Sequence, residues 1–138
     1  IVALSDRTQA STLAAVLGKL GFGVDTADEL EDPARLLDQG LYALAATTRS
    51  VSRPPAPETL YQRIGRLNPE ARRRLFLILL GPEFKTGSAV QAFAVLADLV
   101  VNPTDLPRAP ALISGTIGER KRLYQPYTDA QLRSERAD

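Results

Sequence analysis

The segment Leu75–Leu80 places six apolar side chains in succession and is stopped by Gly81-Pro82. A strand with one wet face alternates polar and apolar residues, so a run without alternation predicts a strand covered on both faces, as in the middle of a parallel sheet. Leu41–Ala46 is a second, nearly continuous apolar run of the same kind. The chain has 138 residues, 44% of them hydrophobic and 24% charged, which suits one globular domain with a single sheet at its centre. At that length roughly 70% of the unfolded surface is buried on folding, so no disulfide or structural metal is required.

Strand and helix signals alternate around these two runs. Ile1–Leu4 is a short aliphatic strand, and the polar turn Ser5-Asp6-Arg7 is suited to cap the helix that follows. Leu13, Val16, Leu17 and Leu20 recur at helical spacing before Gly21 and Gly23 end that helix. Val24–Ala27 is a second strand, and the acidic residues Asp25, Asp28, Glu29, Glu31 and Asp32 lead through Pro33 into a short helix carrying Leu36 and Leu37. Beyond the strand ending at Ala46, the stretch from Thr47 to Pro57 reads as an irregular loop. Leu60, Ile64 and Leu67 mark a helix over 58–67; Arg72–Arg74 lead into the central strand. Ser88–Leu96 reads as a helix offering Val90, Phe93, Ala94 and Leu96 to the core, Leu99–Val101 as the last strand, and the chain from Leu106 to Pro126 as helix. Five strand–helix alternations with short loops predict a parallel sheet with helices on both sides. Ligands of such sheets bind at the carboxyl ends of the strands, here the loops after Ala3, Ala46, Leu80 and Val101.

Composition limits the chemistry those loops can perform. The chain contains no His, Cys, Met or Trp, which excludes a Ser-His-Asp triad, a Cys nucleophile, thiolate or imidazole zinc, haem ligation and iron–sulfur clusters within it. Carboxylates, Lys, Arg, Ser, Thr and Tyr remain, a set compatible with phosphoryl transfer or magnesium binding. Net charge is +1, from 17 Lys and Arg against 16 Asp and Glu, so no global field draws the protein to nucleic acid or an anionic membrane. No apolar run approaches the roughly 20 residues that span a bilayer. A cytoplasmic location is the expectation, and a chain that opens at Ile1 inside a strand reads as part of a longer protein.

The order of the five units, with the segments LGKLGFGVDTAD, LYALAATTRS and above all ADLVVNPTDL, resembles the receiver domain of two-component response regulators over residues 1–118. The resemblance implies a three-layer αβα sandwich, a flavodoxin-like five-stranded parallel sheet in the order 2-1-3-4-5, with residues 119–138 as a helical extension or linker. It also implies a phosphoryl-transfer pocket: an acidic pair after strand one, an Asp after strand three, a Ser or Thr after strand four and a Lys after strand five. A carboxylate nucleophile needs a divalent cation and a cationic side chain to offset the charge that builds on the phosphoryl oxygens. Here the acidic pair falls on Leu4 and Ser5 with Asp6 one step late, the acceptor on Thr48, the hydroxyl on Leu80 or Gly81, and the Lys on Asn102. Residues 39–57 contain no Asp or Glu, so no shift of register restores an acceptor carboxylate.

The resulting expectation is a non-phosphorylatable pseudo-receiver: not an enzyme, with no cofactor and no metal, acting through a protein partner or a neighbouring domain, with a homodimer as one possibility. Its interaction face is placed on Leu80, Phe84, Val101, Asn102 and Pro103. A second reading is a small-molecule sensor whose cleft is lined by Leu4, Thr48 and Leu80. Other motifs have plainer explanations. Phosphorylation of Thr47 or Thr48 competes with a loop hydroxyl serving nearby backbone. Lys85 and Arg49 read as solvated side chains, and Gly81–Gly87 lacks the Gly-Lys-Ser/Thr ending of a phosphate loop. The basic runs Arg72–Arg74 and Arg120–Arg122 lack the interleaved aromatics of a single-strand binder, which weighs against nucleic acid.

Overall fold

The computed structural model describes residues 1–4, 6–27, 42–49 and 59–119. The strands are β1 (Val2–Ala3), β2 (Thr26–Ala27), β3 (Leu44–Thr47), β4 (Phe76–Leu80) and β5 (Leu99–Val101). Every pairing is parallel: β1 with β3, β3 with β4 and β4 with β5, while the two-residue β2 lies along the other side of β1. The α/β architecture with a parallel sheet is as the sequence predicts. The helices are α1 (Arg7–Lys19), α2 (Leu60–Gly65), α3 (Pro69–Arg74), α4 (Ala89–Ala94) and α5 (110–119), with a 3-10 helix at Pro103–Arg108.

Each strand divides its side chains between two cores at the two-residue period of a pleated sheet. Phe76, Ile78 and Leu80 of β4 face α1 and α5, meeting Leu13, Leu17, Leu106 and Ile113. Leu77 and Leu79 face the opposite side, where Leu60 and Ile64 of α2 and Ala92 of α4 cover them. All five β4 side chains are buried, which is why the run has no polar position.

Local signals set the helix starts. Asp6 caps α1, its Oδ1 accepting from Gln9 N–H at 3.0 Å. Thr59 and Gln62 form a reciprocal capping box at α2, and Ser88 accepts from Gln91 N–H at α4. At the outer edge of the sheet, the Tyr42 hydroxyl donates to Asp25 Oδ2 at 2.7 Å. That bond and the carboxylate's charge hold the phenol above its ordinary value of 10.

Three expectations need correction, and the segment before β4, left unassigned from the sequence, is a helix. Strand β3 continues through Thr47, which is buried and donates its hydroxyl to Ala3 O at 2.9 Å, so the loop begins one residue later and Thr47 is closed to a kinase. Arg72–Arg74 belong to α3, started by Asn68 as N-cap with Pro69 in the first turn, where its missing N–H costs nothing. The segment after β5 begins as a 3-10 helix at Pro103, and α5 starts only after Ala109, because Pro107 and Pro110 supply no N–H to a continuous α-helix. Helix α4 is rotated from its predicted face: Ala92 packs inward, while Val90, Phe93 and Leu96 are 80%, 81% and 73% exposed and Ala94 is also exposed. Ala92 joins the core around Leu77 and Leu79, where its small side chain needs little room. The expected helix at Leu36 and Leu37, Ser5, most of the acidic stretch, the loop 50–57 and the extension beyond Glu119 lie outside the described residues.

Two consequences are measurable. Phe93→Ser should change the unfolding free energy by no more than about 0.5 kcal/mol, whereas Ala92→Leu should cost about 1–3 kcal/mol by overpacking. The reverse ranking in denaturant melts would contradict the α4 orientation. Because the folded phenol of Tyr42 is raised, any stabilisation linked to it is complete below the ordinary phenol value and is lost as pH rises through the raised one. Asp25→Asn should shift one tyrosine to lower pH in a phenolate absorbance titration, and an unchanged curve would contradict the pair.

Candidate functional site

Parallel strands all end on one side, so the loops after β3, β4 and β5 converge on a single edge. That edge holds a cleft of about 550 Å³ lined by Gln9, Thr48, Arg49, Tyr61, Gln62, Leu80, Gly81, Pro82, Glu83 and Pro103. Four residues named from the sequence, Thr48, Leu80, Gly81 and Pro103, are therefore brought together. Leu4 is not among them: it is buried in the core beneath α1, so the sensor cleft as drawn from sequence loses one wall. Asp6 is exposed and its carboxylate is engaged as the α1 cap, not aimed at a shared cation. Ser5 is outside the described residues.

The charges at the cleft form a pair. Arg49 Nη2 lies 3.6 Å from Glu83 Oε1, and its guanidinium sits 5.7 Å from the centroid of the Phe84 ring. Both ionic side chains are roughly half exposed, so the pair contributes little energy and is weakened by salt. Its position matters more than its strength. The Glu83 carboxylate folds back over Gly81, filling the space that a side chain at position 81 would take. Where the resemblance implies a hydroxyl, this chain places a negative charge.

Asn102 occupies the position of the implied Lys and performs a neutral task. Its Nδ2 donates to Phe84 O at 3.1 Å and more weakly to Pro82 O at 3.4 Å, pulling the β4–α4 loop onto the end of β5. Its Oδ1 accepts from Thr104 N–H and the Thr104 hydroxyl, capping the 3-10 helix. The Thr86 hydroxyl completes the knot: it accepts from Asn102 N–H at 2.8 Å and donates to Asp105 Oδ2 at 2.6 Å. Gly81 N–H extends the β4–β5 ladder to Val101 O, and Gly87 N–H bonds to Val100 O on the other side of β5. The loop from Gly81 to Ser88 is thus tied at several points by hydrogen bonds, with no cationic side chain among them.

The residues proposed as an interaction face separate into two groups. Leu80, Phe84 and Val101 are interior, with at most 5% of their surface exposed. Asn102 and Pro103 are half-buried at the edge. Lys85 is exposed, its backbone N–H held by Gln91 Oε1 at 2.6 Å. The sequence reading missed Glu83, whose place depends wholly on the loop turning back. It also missed Arg72, which donates to Leu75 O, Leu96 O and Asp98 Oδ2 and joins α3 to the approaches of β4 and β5. Among the described residues no group of three or more acidic side chains is placed to share a metal ion, and no helix is long and apolar enough to cross a membrane. No protein-family model and no curated protein matches this sequence.

The knot at Asn102 predicts its own sensitivity. Asn102→Ala should cost about 1–3 kcal/mol, since it leaves the carbonyls of Phe84 and Pro82 without that donor. Amide hydrogen exchange should accelerate at Gly87 and Thr104 while β1 and β3 stay protected; uniform loss of protection, or none, would contradict the assignment.

Proposed function

We propose that the chain is a receiver-like domain with the flavodoxin-like strand order, which works by binding a protein partner or a neighbouring domain and does not transfer phosphoryl groups. The observation that carries this reading is the Glu83 carboxylate lying over Gly81. That carboxylate, paired with Arg49, takes the space where the resemblance implies a hydroxyl, and among the described residues no carboxylate cluster offers magnesium to a phosphoryl donor. The Asn102 amide, engaged with two loop carbonyls, supplies no cation in the place of the implied Lys. On this reading the protein is no enzyme and needs no cofactor or metal.

A domain whose loop edge is tied shut recognises partners on another surface. We assign that surface to α4, where Val90, Phe93 and Leu96 are three of the four large apolar side chains exposed among the described residues. The 550 Å³ cleft favours a second reading, a small-molecule sensor, with Thr48 and Leu80 on its wall. A thermal-shift screen against small metabolites separates the two, since only a sensor gains stability from a ligand that fills the cleft.

Incubation with a small-molecule phosphodonor and magnesium, followed by intact mass measurement, tests the main reading. The mass should remain that of the unmodified chain. A stoichiometric acyl phosphate would overturn the proposal.

A further inference from the structure

Helix α4 is six residues long, well under the roughly 12–15 residues at which an isolated helix holds together in water. Its packing does little to make up the difference. Ala92 is its one buried residue, while Ala89, Val90, Phe93 and Ala94 are exposed. Val95 and Ala97, just past its end, are partly buried against the core of Leu77 and Leu79. A single alanine methyl group offers little apolar area to hold a helix on a sheet.

The polar ties at the two ends of α4 differ in reach. At the amino end they are local: the Gln91 amide accepts from Lys85 N–H and donates to Glu83 O. At the carboxyl end they come from other helices. Tyr61 of α2 donates its hydroxyl to Val95 O at 2.8 Å, and Arg72 of α3 donates Nη2 to Leu96 O, also at 2.8 Å. Arg72 is itself fixed, its Nη1 donating to Leu75 O and to Asp98 Oδ2, and the same carboxylate oxygen accepts from Leu77 N–H in β4. The grip on the end of α4 is thereby anchored in the sheet.

The turn so gripped is strained. Leu96 has φ 59°, the left-handed region where leucine is disfavoured and glycine is the ordinary choice, and its side chain is 73% exposed, so packing compensates little. Ala97 N–H reaches back to Ala92 O at 2.9 Å, the bond with which a left-handed turn closes a helix. A short helix with one buried side chain and a strained end, held by two donors from elsewhere, belongs to the least stable part of a fold. We infer that α4 is a latched element: it opens as a unit while the sheet stays closed, and Tyr61 and Arg72, gripping Val95 O and Leu96 O, set how often it opens. Val90 and Phe93 ride on this element, so a displacement of α2 or α3 reaches them through the two grips. Latching does not depend on what α4 binds.

Native-state hydrogen exchange of the labelled full chain, followed residue by residue in low urea, tests this. In the parent, the amides of Val95, Leu96 and Ala97 should exchange faster than those of β4 and with a weaker dependence on urea, since opening α4 alone exposes less surface than global unfolding. Tyr61→Phe removes one hydroxyl, and Arg72→Lys keeps a charge beside Asp98 but loses the two-pronged reach; each should speed the α4 amides about fivefold. Leu96→Gly, which relieves the turn, should slow them about threefold. Ile113→Val, in the core on the other face of the sheet, should speed the β4 amides about threefold and leave those of α4 at parent rates, because its contacts survive the opening. Parent α4 amides that match β4 in rate and urea dependence would overturn the inference. So would α4 amides that ignore both Tyr61→Phe and Arg72→Lys, that speed up in Leu96→Gly, or that follow β4 in Ile113→Val.

Discussion

The structure depends on β4 being buried from both sides. Its five side chains alternate between two cores, and the residues that cover them come from separate parts of the chain: α1, the 3-10 helix and α5 on one face, α2 and α4 on the other. Neither core closes without β4. Fully burying a Leu, Ile or Phe contributes about 1.5–3 kcal/mol each, so this one strand supplies a large share of the apolar driving force. A polar side chain at Ile78 or Leu79 would have no water and no partner on either side.

Burial on both faces leaves the strand ends as the places where polar groups must be managed, and the protein ties each with a different device. At the amino end, Asp98 accepts from Leu77 N–H and from Arg72, and Arg72 also caps the carbonyls of Leu75 and Leu96. This charged knot joins α3, β4, β5 and the end of α4. At the carboxyl end, the Asn102 amide binds loop carbonyls, while the Thr86 hydroxyl accepts from Asn102 N–H and donates to the Asp105 carboxylate. The ion pair of Arg49 and Glu83 stands outside that network, half in solvent. With both strand ends tied, the recognition surface proposed above falls to the helices, where α4 presents side chains that the cores did not accept.

Much of this is legible in the residues. Continuous apolar runs separated by turn residues give the parallel sheet, because only two-face burial removes the polar positions. Asp6 is legible as a helix start because a short acceptor ahead of a helical stripe has few other uses. The face of α4 is not. Val90, Phe93 and Leu96 have the spacing of a buried stripe, and nothing local marks Ala92 as the residue that joins the core instead. Helix α3 carries a readable signal, Asn68-Pro69-Glu70, overshadowed by the arginines behind it. At the loop edge, the sequence shows which side chains are missing but not that Glu83 folds back over Gly81, since that follows from the path of the loop.

On the reading proposed above, the carboxyl edge of this sheet is closed to the ion chemistry that parallel sheets often host there, and recognition falls to the helical surface. Amide-resolved magnetic resonance of the labelled chain during a magnesium titration tests it directly. No saturable shift is expected at Asp6, Thr48, Arg49, Gly81, Glu83 or Asn102. Saturable, co-varying shifts clustered on those residues would contradict it.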